Sequence, residues 1–542
     1  MQPEGLTTSY WPADRSQPLL ELTVGEALRR AAGRAPQRAA LVEAYPPGMV
    51  SLTGCAHTDR RWTYAELLDD AVLCAHWLLA RFAAGGHVCA WAPNIPEWVI
   101  LQYGAALAGM VLVTANPALR SEELRYVLEQ SHAVALFHVD HFHSTDMAAV
   151  AHAACHDGLQ AVSFSGWLTQ VREAPAGGAL PDVKPASAVQ IQFTSGTTGH
   201  PQGALLHHLG LVTNASYIAR RANLDQFVML CTLPLFHTSG SVISVLGCCT
   251  TASTLVLAVT FDPVLVLATV ERERVEFMGA VPTMLLALME QQKRTPRDLH
   301  TLRLVVSGGA PVPEVLTQRV RAELGCDLTT VYGETEASPV ICETAPVDTL
   351  VDKARTAGWP LWNVEVRIAH PVMHEPVPIG AEGEIQARGY QVMLGYYGQP
   401  EATRNAILPG GWLRTGDLGT MDARGYVRVT GRLKDMIIRG GENLYPVEIE
   451  AVLVRHPAVV DVSVFGLPDL QWGETVAAAL RLRPEAGSVT STALKAFCRE
   501  HLAPQKTPTT WFVCDAFPLT GSGKIQKFRL REQALADRLA RL

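Results

Sequence analysis

Apolar and polar positions alternate in blocks along this chain, with short apolar runs giving way to longer stretches of helical spacing. Leu22 to Ala32 carries its apolar residues on one helical face, and Thr23 is placed to cap its N-terminus. Thr63 stands three residues before Glu66, a capping-box pattern that predicts a helix running to about Phe82. His87 to Trp91 reads as a buried strand, Glu97 to Leu107 as a helix and Val111 to Ala115 as a strand. An amphipathic helix from Ser121 to Ser131 and a strand from Val134 to Phe137 continue the rhythm. Strands alternating with helices of this length predict parallel sheets covered by helices. The first twenty or so residues are polar, contain proline and are expected to lie over the surface.

The same alternation returns further on. Met229 to Leu233, Thr254 to Val259 and Phe277 to Val281 look like strands. Leu302 to Val306 is a strand running into the turn Ser307-Gly308-Gly309, followed by a helix from Pro313 to Leu324. Val364 to Ile368 and Glu384 to Arg388 look instead like antiparallel hairpin strands with Gly and Pro turns. After Gly431 the elements shorten and charge increases, which divides the chain into 1–431 and a small α+β unit, 432–542, on a hinge. The longest apolar region, about Phe227 to Thr260, is interrupted by Pro234, His237 and several Gly and Ser; it reads as buried strands and loops, not a bilayer span.

Composition narrows the class only a little. At 542 residues, 48% hydrophobic and 18% charged, the chain has room for a large core and more than one domain. A formal net charge of −7 gives no electrostatic reason to expect nucleic acid. Met1 to Glu21 lacks a basic region followed by an apolar run, so a secretory signal is not expected. Eleven cysteines are scattered without a C-x-x-C, which points to reduced thiols in a cytoplasm and not to a metal or disulfide framework. A cytoplasmic protein of enzyme size, without an integral membrane segment, is the expectation.

The candidate chemistry centres on Phe193-Thr194-Ser195-Gly196-Thr197-Thr198-Gly199-His200-Pro201-Gln202-Gly203, which follows the apolar run Ala188, Val189, Ile191. Four hydroxyl residues and three glycines in eleven positions make a poor helix and a poor core. Glycines allow φ > 0 and bring amide N–H groups close to a ligand, and successive N–H groups with flanking hydroxyls form an anion cradle. The pattern is not the G-x-x-x-x-G-K-[ST] loop, and a flexible Gly/Ser/Thr linker remains the alternative for this stretch taken alone. Five other stretches bear chemistry: Leu233 to Gly240 with His237, Tyr332-Gly333-Glu334-Thr335-Glu336, Gly411 to Gly419 with Asp417, Gly431 to Asn443, and Leu519 to Ile525 with Lys524. Gly411 to Gly419 reads as an aromatic and acidic Gly turn. Each has a structural reading too: a satisfied histidine, a helix-end charge for Glu336, a turn-capping Asp417, a solvated Lys524.

Taken in order and spacing, the six motifs resemble the adenylate-forming superfamily of acyl- and aryl-CoA synthetases, luciferases and peptide-synthetase adenylation domains. The resemblance runs from about Leu22 to Lys527. It implies an α/β fold: a large N-terminal domain of helix-covered, mainly parallel sheets with a small β-barrel-like subdomain, and a small mobile α+β C-terminal domain hinged near Lys434. It also implies roles. Thr194, Ser195, Gly196, Thr197, Thr198 and Gly199 would hold the β- and γ-phosphates of ATP; Glu336 would ligate Mg²⁺; Gly309, Ala310, Pro311, Tyr332 and Gly333 would border the adenine. Asp417 would accept from the ribose hydroxyls with Arg432 beside it, and Thr335 would contact the α-phosphate. Lys524 would bring its ammonium to the attacking carboxylate. Gly440, Gly441 and Glu442 would line a channel for the pantetheine of coenzyme A.

The implied reaction is attack of a carboxylate on MgATP to give an acyl-adenylate and pyrophosphate, then transfer to coenzyme A with release of AMP, by a monomer or homodimer. The F-H-x-x-G pattern at Phe236 to Gly240 looks like acyl- and aryl-CoA synthetases, with His237 counted among the catalytic candidates. The Asp that peptide-synthetase members use for an amino group is absent there, and nothing is inserted after Gly358 as in fatty acyl-AMP ligases. Two positions depart from the pattern. Gln202 stands where lysine is usual, and Glu334 replaces a usually apolar residue, adding a carboxylate expected near the acyl end of the pocket. An atypical acid such as nitrite, a non-CoA acceptor, or a non-catalytic nucleotide-binding relative are the alternatives, and Glu334→Met is expected to alter acid preference more than ATP affinity.

Overall fold

Two sheets with parallel cores form the body of the protein. The computed structural model describes residues 5–175, 177–194, 201–309, 312–440, 442–484, 489–519 and 525–542. The first sheet has seven strands in the order Gly395–Tyr396, Gln202–His207, Ala188–Thr194, Val111–Thr114, His87–Trp91, Ala133–His138, Gln160–Ser163. From Ala188–Thr194 onward the pairing is parallel, and the first two strands are antiparallel additions. The second has nine strands, six of them parallel from Asp327–Gly333 through Leu304–Gly308, Phe277–Gly279, Val228–Cys231 and Thr254–Ala258 to Ala39–Ala44. Nearly continuous apolar runs make these strands, as burial on both faces demands.

Helices fill the space around the sheets. Both expected capping boxes are present: Thr23 with Glu26 opens Val24–Arg34, and Thr63 with Glu66 opens Tyr64–Leu79. Every residue of Pro96–Leu107 is buried, and a Cβ on Gly104 would lie 2.3 Å from Cys74 Sγ, so this helix packs on its neighbour through a missing side chain. Among the described residues no helix is long and apolar enough to cross a membrane.

A third, antiparallel sheet has six strands; its pairing runs as an open path from Tyr10–Trp11 through Val364–Ala369, Gly383–Gly389 and Trp412–Met421 to Ile407–Leu408, with Val427–Arg432 added on Trp412–Met421, so the barrel expected here is not closed among the described residues. From Ile437 the strands belong to a fourth sheet, and hydrophobic cores within 437–534 contain no residue of the preceding sheets.

Three stretches differ from the sequence reading. Tyr10–Trp11 is a strand of the third sheet, and Trp11 is buried, so the N-terminal segment is anchored by one aromatic pair and not merely laid over the surface. The middle of Phe227 to Thr260 is helical: a π-helix, Ser239–Leu246, runs into Gly247–Thr251. Its β-branched and small residues suggested strand, but hydroxyls bond back to the helix: Ser241 Oγ donates to His237 O at 3.0 Å and Ser244 Oγ to Ser239 O at 3.1 Å. Gly411 to Gly419 is mostly strand, with the extra residues of a bulge at Gly416 (φ 67°) opposite Ile385.

Candidate functional site

The expected nucleotide residues gather at the carboxyl ends of parallel strands, where ligands of open α/β sheets bind. Thr194 ends one strand of the first sheet. Gly309 (φ 75°) follows the strand Leu304–Gly308 of the second, Gly333 ends the adjacent strand Asp327–Gly333, and His237 lies on the loop after Val228–Cys231. Ser195, Gly196, Thr197, Thr198 and Gly199 lie outside the described residues, as do Ala310, Pro311, Gly441 and Lys524. The phosphate-loop candidate is nevertheless delimited: Thr194 and Gln202 face each other in antiparallel register, with Thr194 Oγ1 3.4 Å from Gln202 O. A bridge between Leu519 and Ile525 likewise closes the segment that carries Lys524.

The two large sheets meet at Glu336. Gly333 has no room for a side chain, since a Cβ would lie 2.0 Å from Pro339 O; the strand turns tightly there into the short 3₁₀ helix Thr335–Ala337. Glu336 is 8% exposed. Its Oε1 accepts from Thr194 Oγ1 at 3.2 Å and from Tyr396 Oη at 2.8 Å, and its backbone O accepts from Met393 N at 2.8 Å. Thr335 is half-buried beside it. Among the described residues no cation pairs with this carboxylate. A buried carboxylate held by hydroxyl donors alone has the hard oxygen chemistry that suits Mg²⁺, which takes one or two protein carboxylates and completes its shell with phosphate and water. Among the described residues no cluster of three or more His, Cys, Asp or Glu side chains is placed to hold a metal.

A second cluster joins the second and third sheets. Tyr332 Oη donates to Asp417 Oδ2 at 3.0 Å, and Arg432 Nε lies 3.0 Å from Asp417 Oδ1; Asp417 and Arg432 face each other across adjacent strands. Burial, then the Asp417 and Glu334 charges, push the Tyr332 phenol well above its ordinary range, so it acts as a neutral donor. Burial disfavours the Arg432 charge, but Asp417 foremost, then Asp435 and Glu334, outweigh it. Burial, with Arg432 close by, draws the Lys434 ammonium down. A carboxylate offers about four acceptor positions, so Asp417 retains capacity for ribose hydroxyls.

The two departures find places of their own. Gln202 donates from Nε2 to Gln399 Oε1 at 3.0 Å, a neutral amide pair at the mouth of the loop. The Glu334 charge is felt at Tyr332, Tyr396 and Arg432.

On the other side, the His237 ring lies 4.7 Å from that of Phe236. A Cβ on Gly240 would lie 2.3 Å from Pro234 O, which is why F-H-x-x-G ends in glycine. Asn94 clamps this loop, donating to Leu233 O at 3.0 Å and accepting from Leu235 N at 2.9 Å. Gly440 (φ 60°) and Glu442 border a turn of the fourth sheet between Ile437–Arg439 and Glu442–Leu444. Sequence reasoning missed Asn94, Tyr396 and Asn214. Asn214 grips Val340 by both backbone groups, at 2.8 and 3.1 Å. A buried-type polar residue inside an apolar run was the available signal for both asparagines.

These features define an ATP-using, acid-activating enzyme with a separate C-terminal unit. The model of AMP-binding enzymes matches residues 28–397, and that of the AMP-binding enzyme C-terminal domain matches 448–524. YngI of Bacillus subtilis (strain 168) is 37% identical, over 95% of this chain and 98% of its own length. The mitochondrial medium-chain acyl-CoA ligase ACSF2 of Macaca fascicularis is 35% identical, over 97% of this chain and 89% of its own. Among solved structures, ATP-bound MatB from Rhodopseudomonas palustris superposes with a TM-score of 0.85 at 26% identity, covering 95% of this chain and 100% of that one. The chain belongs to the AMP-binding enzyme family.

Proposed function

We propose that this protein activates an aliphatic carboxylic acid of medium chain length with MgATP and transfers the acyl group to coenzyme A. AMP-forming ligation of an acid to coenzyme A is the activity of its class, and ATP and coenzyme A are the co-substrates. The observation that carries the reading is the meeting of Thr194 with Glu336, from two different sheets, at the mouth of the phosphate loop. The medium-chain assignment is supported by the name of the ACSF2 relative and by the apolar, buried π-helix after His237, with Val242, Ile243, Val245 and Leu246.

In this reading Thr194 and the loop through Gly199 hold the terminal phosphates, and Gly309 to Pro311 with Tyr332 border the base. Asp417, steadied by Tyr332 and Arg432, takes the ribose. Thr335 faces the α-phosphate, and Glu336 is the protein ligand of Mg²⁺, whose bound charge neutralises the phosphates. Lys524 places its ammonium where carboxylate and α-phosphate approach, stabilising charge that develops in the transition state. The unit after residue 431 then turns about Lys434, bringing Gly440, Gly441 and Glu442 to the pantetheine and keeping water from the mixed anhydride. A reducing cytoplasmic setting suits eleven free cysteines, and a monomer or homodimer is expected in light scattering.

The test is pyrophosphate release with MgATP over short, medium and long straight-chain acids and aryl acids, with and without coenzyme A. Release greatest with medium-chain acids, with thioester formed, is expected. A maximum with aryl or short acids overturns the chain-length assignment, and release without thioester overturns the acceptor. Lys524→Ala is expected to lower adenylation about 10²- to 10³-fold while ATP binding persists; lost ATP binding would refute the role given to Lys524.

A further inference from the structure

One short segment, residues 393–403, touches Glu336 and the exit of the phosphate loop at once. Met393 N donates to Glu336 O, and Leu394 N donates to Leu205 O at 2.9 Å. Tyr397 N donates to Gly203 O at 2.8 Å, and Gln399 accepts from Gln202. Between them, Tyr396 sits opposite Ala204 in the antiparallel strand pair. Its backbone N donates to Thr403 Oγ1 at 2.9 Å. Gly395 (φ 142°) permits that contact, since a Cβ there would lie 2.7 Å from Thr403 Cγ2. The phenol is therefore fixed from both sides before it reaches Glu336.

We propose that Tyr396 is a positioning residue for the metal-binding carboxylate: its Oη, with Thr194 Oγ1, holds Oε1 of Glu336 and so fixes the rotation of the carboxylate that would take the ion. This rests on the assignment of Glu336 as the Mg²⁺ ligand. Among the described residues, both side-chain hydrogen bonds of the carboxylate fall on the same oxygen. A carboxylate free to rotate would meet a small, geometrically demanding cation poorly, because Mg²⁺ tolerates little departure from octahedral geometry. Groups that orient a metal ligand are worth about 10- to 100-fold in metal affinity.

The experiment uses the full chain with a non-hydrolysable ATP analogue and Mn²⁺, free Mn²⁺ being followed by electron paramagnetic resonance. Tyr396→Phe is expected to weaken Mn²⁺ binding about 10- to 100-fold. It is also expected to raise the Mg²⁺ concentration needed for half-maximal adenylation by the same factor, with KM for the acid unchanged. Glu336→Gln runs alongside. Wild-type Mn²⁺ affinity in Tyr396→Phe but not in Glu336→Gln overturns the role of Tyr396 alone. Wild-type affinity in both overturns the metal assignment and this role with it. A fall in kcat at saturating Mg²⁺ with unchanged Mn²⁺ affinity also overturns it.

Discussion

Glu343→Gln should change how stability depends on pH. Glu343 ends the strand Val340–Glu343, 1% exposed, opposite Val331 and Trp359. The nearest cation, Arg221, lies 3.5 Å over the Trp359 ring and spends its donors on the backbone carbonyls of Glu343, Trp359 and Pro360 at 3.1, 2.7 and 2.9 Å. Oε2 of Glu343 has no hydrogen-bond partner among the described residues. Burial pushes the carboxyl up to about 8 from an ordinary 4.5; the Arg221 charge opposes this and Asp348 adds to it. Between those values the folded chain holds a proton that the unfolded chain has released. Stability from this group is therefore complete below about 4.5 and falls as pH rises towards 8. The slope is at most about 1.4 kcal/mol per pH unit, which over that interval sets a ceiling of about 5 kcal/mol. Glutamine keeps the shape and does not titrate. The variant should gain on the wild type steadily from pH 5 to 8, by a few kcal/mol at the upper end, in urea unfolding at matched pH. An infrared difference spectrum at pH 7 should show the loss of a protonated carboxyl band. Parallel stability curves, or a carboxylate band at pH 7, would refute the reasoning.

Asp417→Asn should raise KM for ATP about 10- to 100-fold, as expected for weakened hydrogen bonds to a charged group, with KM for the acid unchanged in pyrophosphate exchange; an unchanged ATP KM would remove Asp417 from the ribose. Gln202→Lys breaks the amide pair with Gln399 and introduces a cation beside the loop, and should lower KM for ATP; a rise would mean that the Gln202–Gln399 bond matters more than the charge. Glu334→Met should alter acid preference more than KM for ATP; an unchanged acid profile would refute the placement of this carboxylate near the acyl end.

Local signals were legible in this sequence, and long-range ones were not. Thr23 and Thr63 announce their helices because the capping box closes within three residues. Most parallel strands read clearly because burial on both faces leaves mainly apolar residues; Ala39–Ala44 and Gln160–Ser163, the latter partly exposed, were not read as strands. Trp412–Met421 was obscured because its bulge glycine looks like a turn, and Ser239–Leu246 because small and β-branched residues become helical only where a packed surround absorbs their hydroxyls. Glu336 was found through its motif. Tyr396, 60 residues away, has no local pattern, since its task exists only after two sheets have paired.

The same distribution of bonds suggests which part of the site is rigid. Asn214 lies on the helix that follows the phosphate-loop hairpin, and its two bonds to Val340 tie that helix to the strand just beyond Glu336. Arg221, at the end of the same helix, fastens the carbonyls of Glu343, Trp359 and Pro360. Thr194 and Tyr396 then join the loop hairpin to Glu336, and Tyr332 joins the second sheet to Asp417 in the third. Buried polar contacts of this kind cost much to break, because each partner would be left unsatisfied in a dry interior. Glu336 and the Asp417 cluster, the proposed metal and ribose groups, are thus held in place by the fold itself. Beyond Arg432 the next strands form their own sheet and fill their own cores, so a turn near Lys434 would leave those cores intact. The proposed two-step use of Lys524 and of a pantetheine channel would call for this division: nucleotide groups held in place, and a C-terminal unit with cores of its own.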